Sequence, residues 1–564
     1  MLNVMRSNGL RRLSLSIALG LSVVSLSPLA SAADDGKDAA IFRNIFYSYA
    51  KSQYSDAEIQ RLIFQPKSDF FKATSIEGEA ADALKKRGED WSVFLPSDLY
   101  KDGIAAPAGD AGDLNEALDQ KPITIVIIPG IFGEFIDHFP FHEVVSNKDR
   151  AFAKEWAKAI ADHPTEDEVF DLETLAPVKH SMSDIIEASS VDDAKGKAVV
   201  RLIYLKPLLG SLETLGTLED SSTIYLRRLN KLWSILGPQE NLYLLGYSRG
   251  MNVALDLVNR AEAKPDDYPW LGKIKGVVSL GGTIYGSAIA DAAFTEGQVS
   301  CQAIQRMVKL ADDLTVLPKD ANLADKIKVV ASNSAAWAKA GIDLLGIGAS
   351  MPKSEGLEIE SITTDSPNLG VFGETLKTVA FDTFKIDQGA EYSNNVEKFK
   401  YLIREAVEGI DTLTARQGLA WIKGHTVSTR MKYFVIQGLM GDPSSKKDGR
   451  GALAEDSVSF NTRTLDYKVL RRSYYDYLAF QGMQLNDSQV SPDRSIFWPE
   501  LHKKLNPAQE DFEAHLLTII GTDHWGMSFP VALVSENDET SPFPREILVK
   551  TLGAFLAQDL FNKP

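Results

Sequence analysis

The sequence predicts an α/β fold: a mostly parallel sheet covered by helices on both faces, with a long helical insertion and a helical extension ahead of the first strong strand. Three observations carry this expectation. Short, near-continuous apolar runs such as ITIVII (Ile123 to Ile128) and AVVRLIYL (Ala198 to Leu205) alternate with helical segments. Strands this apolar along their whole length suit a parallel sheet buried on both faces. Between Gly286 and Thr429 the alternation stops for about 140 residues, too long for a plain connection in a compact domain. Before the first run, Ile41, Phe42, Ile45, Phe46 and Tyr49, then Ile59, Leu62 and Ile63, recur at helical spacing, which reads as two amphipathic helices packed on the main domain.

Taken in order, residues 1–32 read as a secretory signal. Arg6, Arg11 and Arg12 precede an apolar stretch from Leu13 to Leu26, and Pro28 breaks it before Ala30-Ser31-Ala32. The apolar run is short for a membrane span. The expectation is a periplasmic or secreted protein whose mature chain has no transmembrane segment. Residues 33–120 form the helical extension and a Gly-, Ala- and Asp-rich linker over Asp102 to Asp119. Residues 121–286 are the first part of the core. They include a helix from about Ser222 to Leu236 capped by Asp220 or Ser221, the strand NLYLL (Asn241 to Leu245), a helix from Asn252 to Ala263 and the strand IKGVVSL (Ile274 to Leu280). Residues 287–429 are the helical cap, with segments at Cys301 to Asp313 and Val396 to Leu413. Residues 430–564 complete the core with MKYFVIQ (Met431 to Gln437) and LLTII (Leu516 to Ile520).

The composition excludes some functions. The chain has 564 residues, a formal net charge of −17 and no basic patch, so the electrostatic case for a nucleic-acid partner fails. Cys301 is the only cysteine, which rules out an intrachain disulfide and leaves no lipid-acceptor cysteine near the cleavage site. No cluster has convincing metal-ligand spacing, and no cofactor is expected.

Gly246-Tyr247-Ser248-Arg249-Gly250 is a G-x-S-x-G pattern between an expected strand and an expected helix. On such a turn the serine is held in strained geometry with Oγ exposed, and the flanking glycines let strand and helix approach. Ser248 is therefore the candidate nucleophile, and it needs a base. His524 stands on the loop after the last strand, in Gly521-Thr522-Asp523-His524-Trp525-Gly526. His515 and His425 precede strands, His163, His180 and His502 lie in polar segments, and His138 and His142 follow the first strong strand. An oxyanion hole would draw one backbone N–H from Arg249 and another from Pro129-Gly130-Ile131-Phe132-Gly133, at Ile131.

On the Pro129-Gly130 loop, the Gly246 to Gly250 elbow, Ser279-Leu280-Gly281-Gly282-Thr283 and Asp523-His524-Trp525, the chain resembles the α/β-hydrolase superfamily, in its lipase and esterase branches, over roughly Pro122 to Ala557. Pro129 stands where many lipases carry histidine. The elbow is also similar to the G-F-S-R-G of some bacterial phospholipases. The resemblance implies hydrolysis of a small-molecule or lipid carboxylic ester by a Ser-His-Asp triad through an acyl-enzyme. A phospholipase, an amidase or peptidase, and an acyltransferase are alternatives on the same triad. A binding protein that keeps the fold without turnover is the rival from another class. In this fold the acid falls between nucleophile and histidine. Asp442 follows the MKYFVIQ strand directly. Asp487, in Leu485-Asn486-Asp487-Ser488-Gln489-Val490, is similar to the N-D-G-x-V acid loop of many lipases with Ser488 for glycine, and is favoured over Asp442, with Asp493 third. In the cap, Ile342, Leu344, Leu345 and Gly346 to Met351 form either internal packing or an acyl-binding wall that selects hydrophobic acyl groups.

Overall fold

The structure, a computed structural model, describes residues 32–64, 122–135, 141–145, 147–162, 166–192, 196–208, 210–237, 241–317, 321–349, 370–377, 379, 392–442, 452–453, 465–481, 486–528 and 541–561. The main sheet contains β1 (Ile63–Phe64), β2 (Ile123–Ile128), β3 (Ile186–Asp192), β4 (Ala198–Leu205), β5 (Leu242–Tyr247), β6 (Ile274–Leu280), β7 (Lys432–Gly438) and β8 (Glu513–Ile520). Helices used below are α1 (Ala32–Ala50), α2 (Asp56–Leu62), α3 (Leu218–Leu236), α4 (Arg249–Ala263), α5 (Ala288–Ala293) and α6 (Val299–Asp313). They continue with α7 (Leu323–Ala349), α8 (Gly370–Lys377), α9 (Tyr392–Thr412), α10 (Ala415–Gly424), α11 (Leu465–Gln481) and α12 (Arg545–Phe561).

Across the sheet the order is β1-β8-β7-β6-β5-β2-β4-β3. The run from β8 to β4 is parallel throughout, and only the edge strands β1 and β3 pair antiparallel. Alternation along each strand sorts side chains onto the two faces. Ile125, Ile127, Leu202, Tyr204, Tyr243 and Leu245 join one buried cluster with Phe42 and Phe46 of α1 and Phe555 of α12. Val126, Ile128, Ile203, Leu205 and Leu244 join the other with Leu226 and Leu229 of α3 and Ala254 and Leu257 of α4. That two-sided burial is why the strands are apolar along their length.

Topology decides where a site can form. After β2 the chain runs out to the β4–β3 edge, then returns to lay β5 on the other side of β2. The loops leaving β2 and β5 therefore diverge at neighbouring carboxyl ends and open a crevice there. The helices α5 to α10 lie in the chain between β6 and β7. Among them α9 sits close: a Cβ on Gly409 would lie 2.5 Å from the Leu215 carbonyl oxygen, so glycine is what lets α9 approach the loop before α3.

Several elements differ from expectation. α3 starts at Leu218 because Thr217 is its N-cap, its hydroxyl accepting from the Asp220 N–H at 3.1 Å. Asp220 and Ser221, the expected caps, lie inside the first turn. α4 begins directly at Arg249, and the second extension helix ends at Leu62 so that Ile63 and Phe64 become an edge strand on β8. β3 (IEASSVD) and the hairpin of Glu166–Asp171 with Ala176–Ser181 were not expected, since their polar residues hide them from an apolar-run search. The expected signal segment as far as residue 31, the expected linker at 102–119 and residues 350–351 lie outside the described residues. Ile342, Leu344 and Leu345 fall in the last turns of α7, with their side chains outside them too. No described helix is long and apolar enough to cross a membrane.

Candidate active site

β5 delivers the chain into a turn at Ser248, and α4 leaves from it. Ser248 has φ 51° and ψ −125°, a region that residues with a Cβ rarely occupy and that costs on the order of 1–3 kcal/mol. Packing around the turn enforces it. A Cβ on Gly246 would lie 2.4 Å from Met251 Cα, and one on Gly250 would lie 2.3 Å from the Ile128 carbonyl oxygen. Neither position accepts a larger residue without moving backbone. The Ser248 N–H donates to the Leu280 carbonyl at 3.0 Å, tying the turn to the end of β6.

His524 meets Ser248 from the loop after β8. Its Nε2 is 2.8 Å from Ser248 Oγ, and its Nδ1 is 2.8 Å from Asp487 Oδ2. A carboxylate only accepts, so Nδ1 carries the proton and Nε2 is left to accept from the serine hydroxyl. All three side chains are buried, Ser248 at 4%, His524 at 1% and Asp487 at 0% exposure, which keeps water from competing for these bonds. Asp487 is held firmly. Its Oδ1 accepts the N–H groups of Gln489 at 3.0 Å and Val490 at 2.7 Å, and its Oδ2 also accepts from Gln437 Nε2 at 3.1 Å. Ser488 adopts φ 85°, a left-handed conformation that favours glycine, and its N–H is taken by Asn486 Oδ1 at 2.8 Å. Two further contacts seat the imidazole. The His524 N–H donates to the Asp487 carbonyl at 2.8 Å, and the Tyr247 hydroxyl donates to the His524 carbonyl at 2.8 Å.

The other candidates are placed elsewhere. Asp442 lies in a two-residue strand, Gly441–Asp442, paired with Ala452–Leu453, and Asp493 lies in the short helix Pro492–Ser495; their side chains are outside the described residues. His502 shares a hydrogen bond of 3.0 Å with the Tyr285 hydroxyl, and burial pulls its imidazole down to about 3. His515 sits between Asp38 and Glu513, and His425 Nδ1 bonds the Trp421 carbonyl. His180 lies in the hairpin strand Ala176–Ser181. His138, His163 and the side chain of His142 are outside the described residues. Among the described residues no cluster of His, Cys, Asp or Glu is placed to hold a metal ion.

The Gly130 loop faces Ser248 across the crevice: a Cβ on Gly130 would lie 3.0 Å from Ser248 Cβ. Ile131 follows it, half-buried, and Phe132 turns the loop at φ 60°. Arg249 is the first residue of α4, so its backbone N–H has no partner four residues back, and the helix N-terminus there favours developing negative charge. The Arg249 side chain runs inward instead. Its guanidinium donates to the Gly216 carbonyl at 2.6 Å, Ser221 Oγ at 3.0 Å and Thr412 Oγ1 at 2.9 Å, and burial pulls it down to about 10. Sequence reasoning missed three neighbours. Glu134, on the Gly130 loop, accepts from the Thr214 N–H and hydroxyl, and burial pushes its carboxyl up to about 7. Tyr247 and Gln437 were read only as an elbow residue and a strand residue. The one signal for Gln437 was an amide ending the apolar stretch Tyr433 to Ile436.

No protein-family model matches the chain, and no curated protein matches it. Among solved structures it is similar to a metagenomic carboxyl esterase, MGS0156, at 14% identity and TM-score 0.39, over 95% of this chain and 97% of that one. It is also similar to the mature form of Bacillus licheniformis lipase BlEst2, at 12% identity and TM-score 0.28, over 72% of this chain and 86% of that one. A third is juvenile hormone epoxide hydrolase from the silkworm Bombyx mori, at 11% identity and TM-score 0.26, over 78% and 74%. Likenesses this distant leave the assignment to the chain's own architecture. Its strand order, the strained serine between β5 and α4, and the histidine loop after β8 make this a protein of the α/β-hydrolase fold.

Proposed function

We propose that the chain is an exported serine hydrolase that cleaves carboxylic esters. The observation that carries this reading is the unbroken hydrogen-bond chain Ser248 Oγ–His524–Asp487, built from residues 276 and 37 positions apart in sequence. In the mechanism, Ser248 Oγ attacks the ester carbonyl as His524 Nε2 takes its proton. Asp487 holds the tautomer that can do so and stabilises the imidazolium that forms. The backbone N–H groups of Arg249 and Ile131 stabilise the oxyanion, and α4 adds its N-terminal dipole. His524 returns the proton to the departing alkoxide, and water then cleaves the acyl-enzyme by the same steps.

An apolar surround favours a small-molecule or lipid ester as substrate. Phe132, two residues beyond Gly130, is buried with its ring centroid 6.5 Å from that of Phe372 on α8. The N-terminal basic and apolar segment supports export to the periplasm or beyond, and the helices between β6 and β7 support a cap over the strand ends. The test is labelling by a fluorophosphonate probe together with turnover of esters of increasing chain length. Wild type labels and turns over. Ser248→Ala, folded by circular dichroism, loses labelling and several orders of magnitude in turnover. Undiminished turnover in Ser248→Ala rejects the reading.

A further inference from the structure

Gln437 is a buried amide in β7, whose residues Tyr433 to Ile436 are apolar or aromatic and buried. The fold alone would take an apolar side chain there. Its Nε2 faces three acceptors: Asp487 Oδ2 at 3.1 Å, the Val490 carbonyl at 3.2 Å and the Gly438 carbonyl at 3.2 Å. Those partners set the amide's orientation, because the opposite one would turn Oε1 onto a carboxylate and two carbonyls. In the orientation present, Oε1 is buried and has no hydrogen-bond partner among the described residues. A buried amide oxygen left so is a cost to folding, and the position tolerates it for what the other end does.

We infer that Gln437 is a positioning residue for the proposed triad: its N–H donor fixes the plane of the Asp487 carboxylate and sets how strongly Oδ2 binds the His524 Nδ1–H. Two backbone N–H groups hold Oδ1. Among the described residues, Gln437 and His524 are the side chains that address Oδ2. Without the Gln437 donor, Oδ2 keeps one partner, the carboxylate is freer to rotate about Oδ1, and its remaining negative charge falls more heavily on the imidazole. The inference rests on the hydrolase reading for its kinetic consequence, but not for the geometry itself.

The experiment compares wild type, Gln437→Leu and Gln437→Glu. In Gln437→Leu the expected result is a kcat lowered roughly tenfold with KM within about twofold, and an acid limb of kcat/KM displaced to higher pH as the imidazolium is better stabilised. Gln437→Glu separates a donor requirement from mere packing. Its protonated carboxyl can donate to Oδ2, whereas its carboxylate repels Asp487. The variant therefore keeps more of wild-type kcat at pH 6 than at pH 9, a pH signature that a structural role would not produce. A proton NMR readout frees the test from turnover: the low-field His524 Nδ1–H resonance shifts in Gln437→Leu. An unmoved resonance in folded Gln437→Leu, or a Gln437→Glu profile parallel to wild type, overturns the inference. Absence of fluorophosphonate labelling in wild type counts against the hydrolase reading instead. Should Gln437→Leu not fold, Gln437→Met replaces it with the same expectations.

Discussion

At the scale of the residue, the site depends on two serines held in backbone conformations that a residue with a Cβ resists. Ser248 and Ser488 both sit at positive φ, the first where the proposed nucleophile projects and the second where the loop of the proposed acid turns. In both places neighbouring hydrogen bonds hold the backbone, through Leu280 for Ser248 and Asn486 for Ser488. The proposed acid is tested at the same scale. Asp487→Asn offers His524 Nδ1 an amide that can present N–H as readily as C=O. That favours the tautomer with Nε2 protonated, which cannot accept from Ser248. We expect a loss of about 10⁴-fold in kcat with little change in KM, measured by steady-state kinetics. Asp442→Asn is expected to stay within about threefold of wild type. The reverse ranking would move the acid role to Asp442. A gentler change at the elbow has a different signature: Gly250→Ala should fail to fold, because its Cβ meets main-chain oxygen rather than a yielding side chain.

At the scale of the element, the N-terminal extension braces the strand that leads to His524. β1 pairs with the end of β8 through Ile63 with Ile520, and the Gly521 N–H donates to the Leu62 carbonyl at 2.9 Å. α2 enters this corner from a capping box of Ser55 and Glu58. α1 packs along α12, with the Phe42 ring edge-on to Phe555 at 5.7 Å. Phe42 is fully buried, so Phe42→Ala should cost about 3–5 kcal/mol. The measurement is a shift of the urea midpoint. Because β8 ends at Ile520, four positions before His524, the fraction still folded should keep its kcat.

At the scale of the whole molecule, two buried titratable groups give stability opposite dependences on pH. Glu134 is pushed up to about 7 by burial, with Glu213 nearby adding to the rise. Between the ordinary 4.5 of a free glutamate and about 7 the native state holds a proton that the unfolded chain has released. Stability from this group is thus lost as pH rises through that window, by on the order of 3 kcal/mol. His502, pulled down to about 3 by burial, acts the other way. Below its ordinary 6.5 the unfolded chain takes up a proton that the native state refuses, so stability falls as pH falls toward 3. Urea unfolding across pH 4.5 to 8 should show this. Relative to wild type, Glu134→Gln should gain stability as pH rises. His502→Phe, which keeps the ring packing on Phe512, should gain as pH falls. Parallel curves for wild type and either variant would contradict the corresponding assignment.

The same three scales divide what could be read in advance from what could not. The central strands were legible because each is buried on both faces, and burial writes itself into composition: Ile123–Ile128, Ala198–Leu205 and Ile274–Leu280 carry the signal along their full length. The elbow was legible because its glycines answer local backbone needs. The edge strand β3 was not, since glutamate, serines and aspartate interrupt its apolar residues, and neither was the start of α3, which depends on which hydroxyl reaches a free N–H. Local chemistry marked Ser248, His524 and a short set of aspartates as candidates. It favoured Asp487 over Asp442 on a loop resemblance alone, because which aspartate meets the histidine depends on where the loops after β7 and β8 cross in space. Only the folded chain brings Asp487 onto His524, and only there does an amide in a strand become a partner of a carboxylate 50 residues away. Periodicity and turn chemistry are written over a few neighbouring residues, whereas a hydrogen-bonded site is a coincidence of distant loops that the sheet order creates.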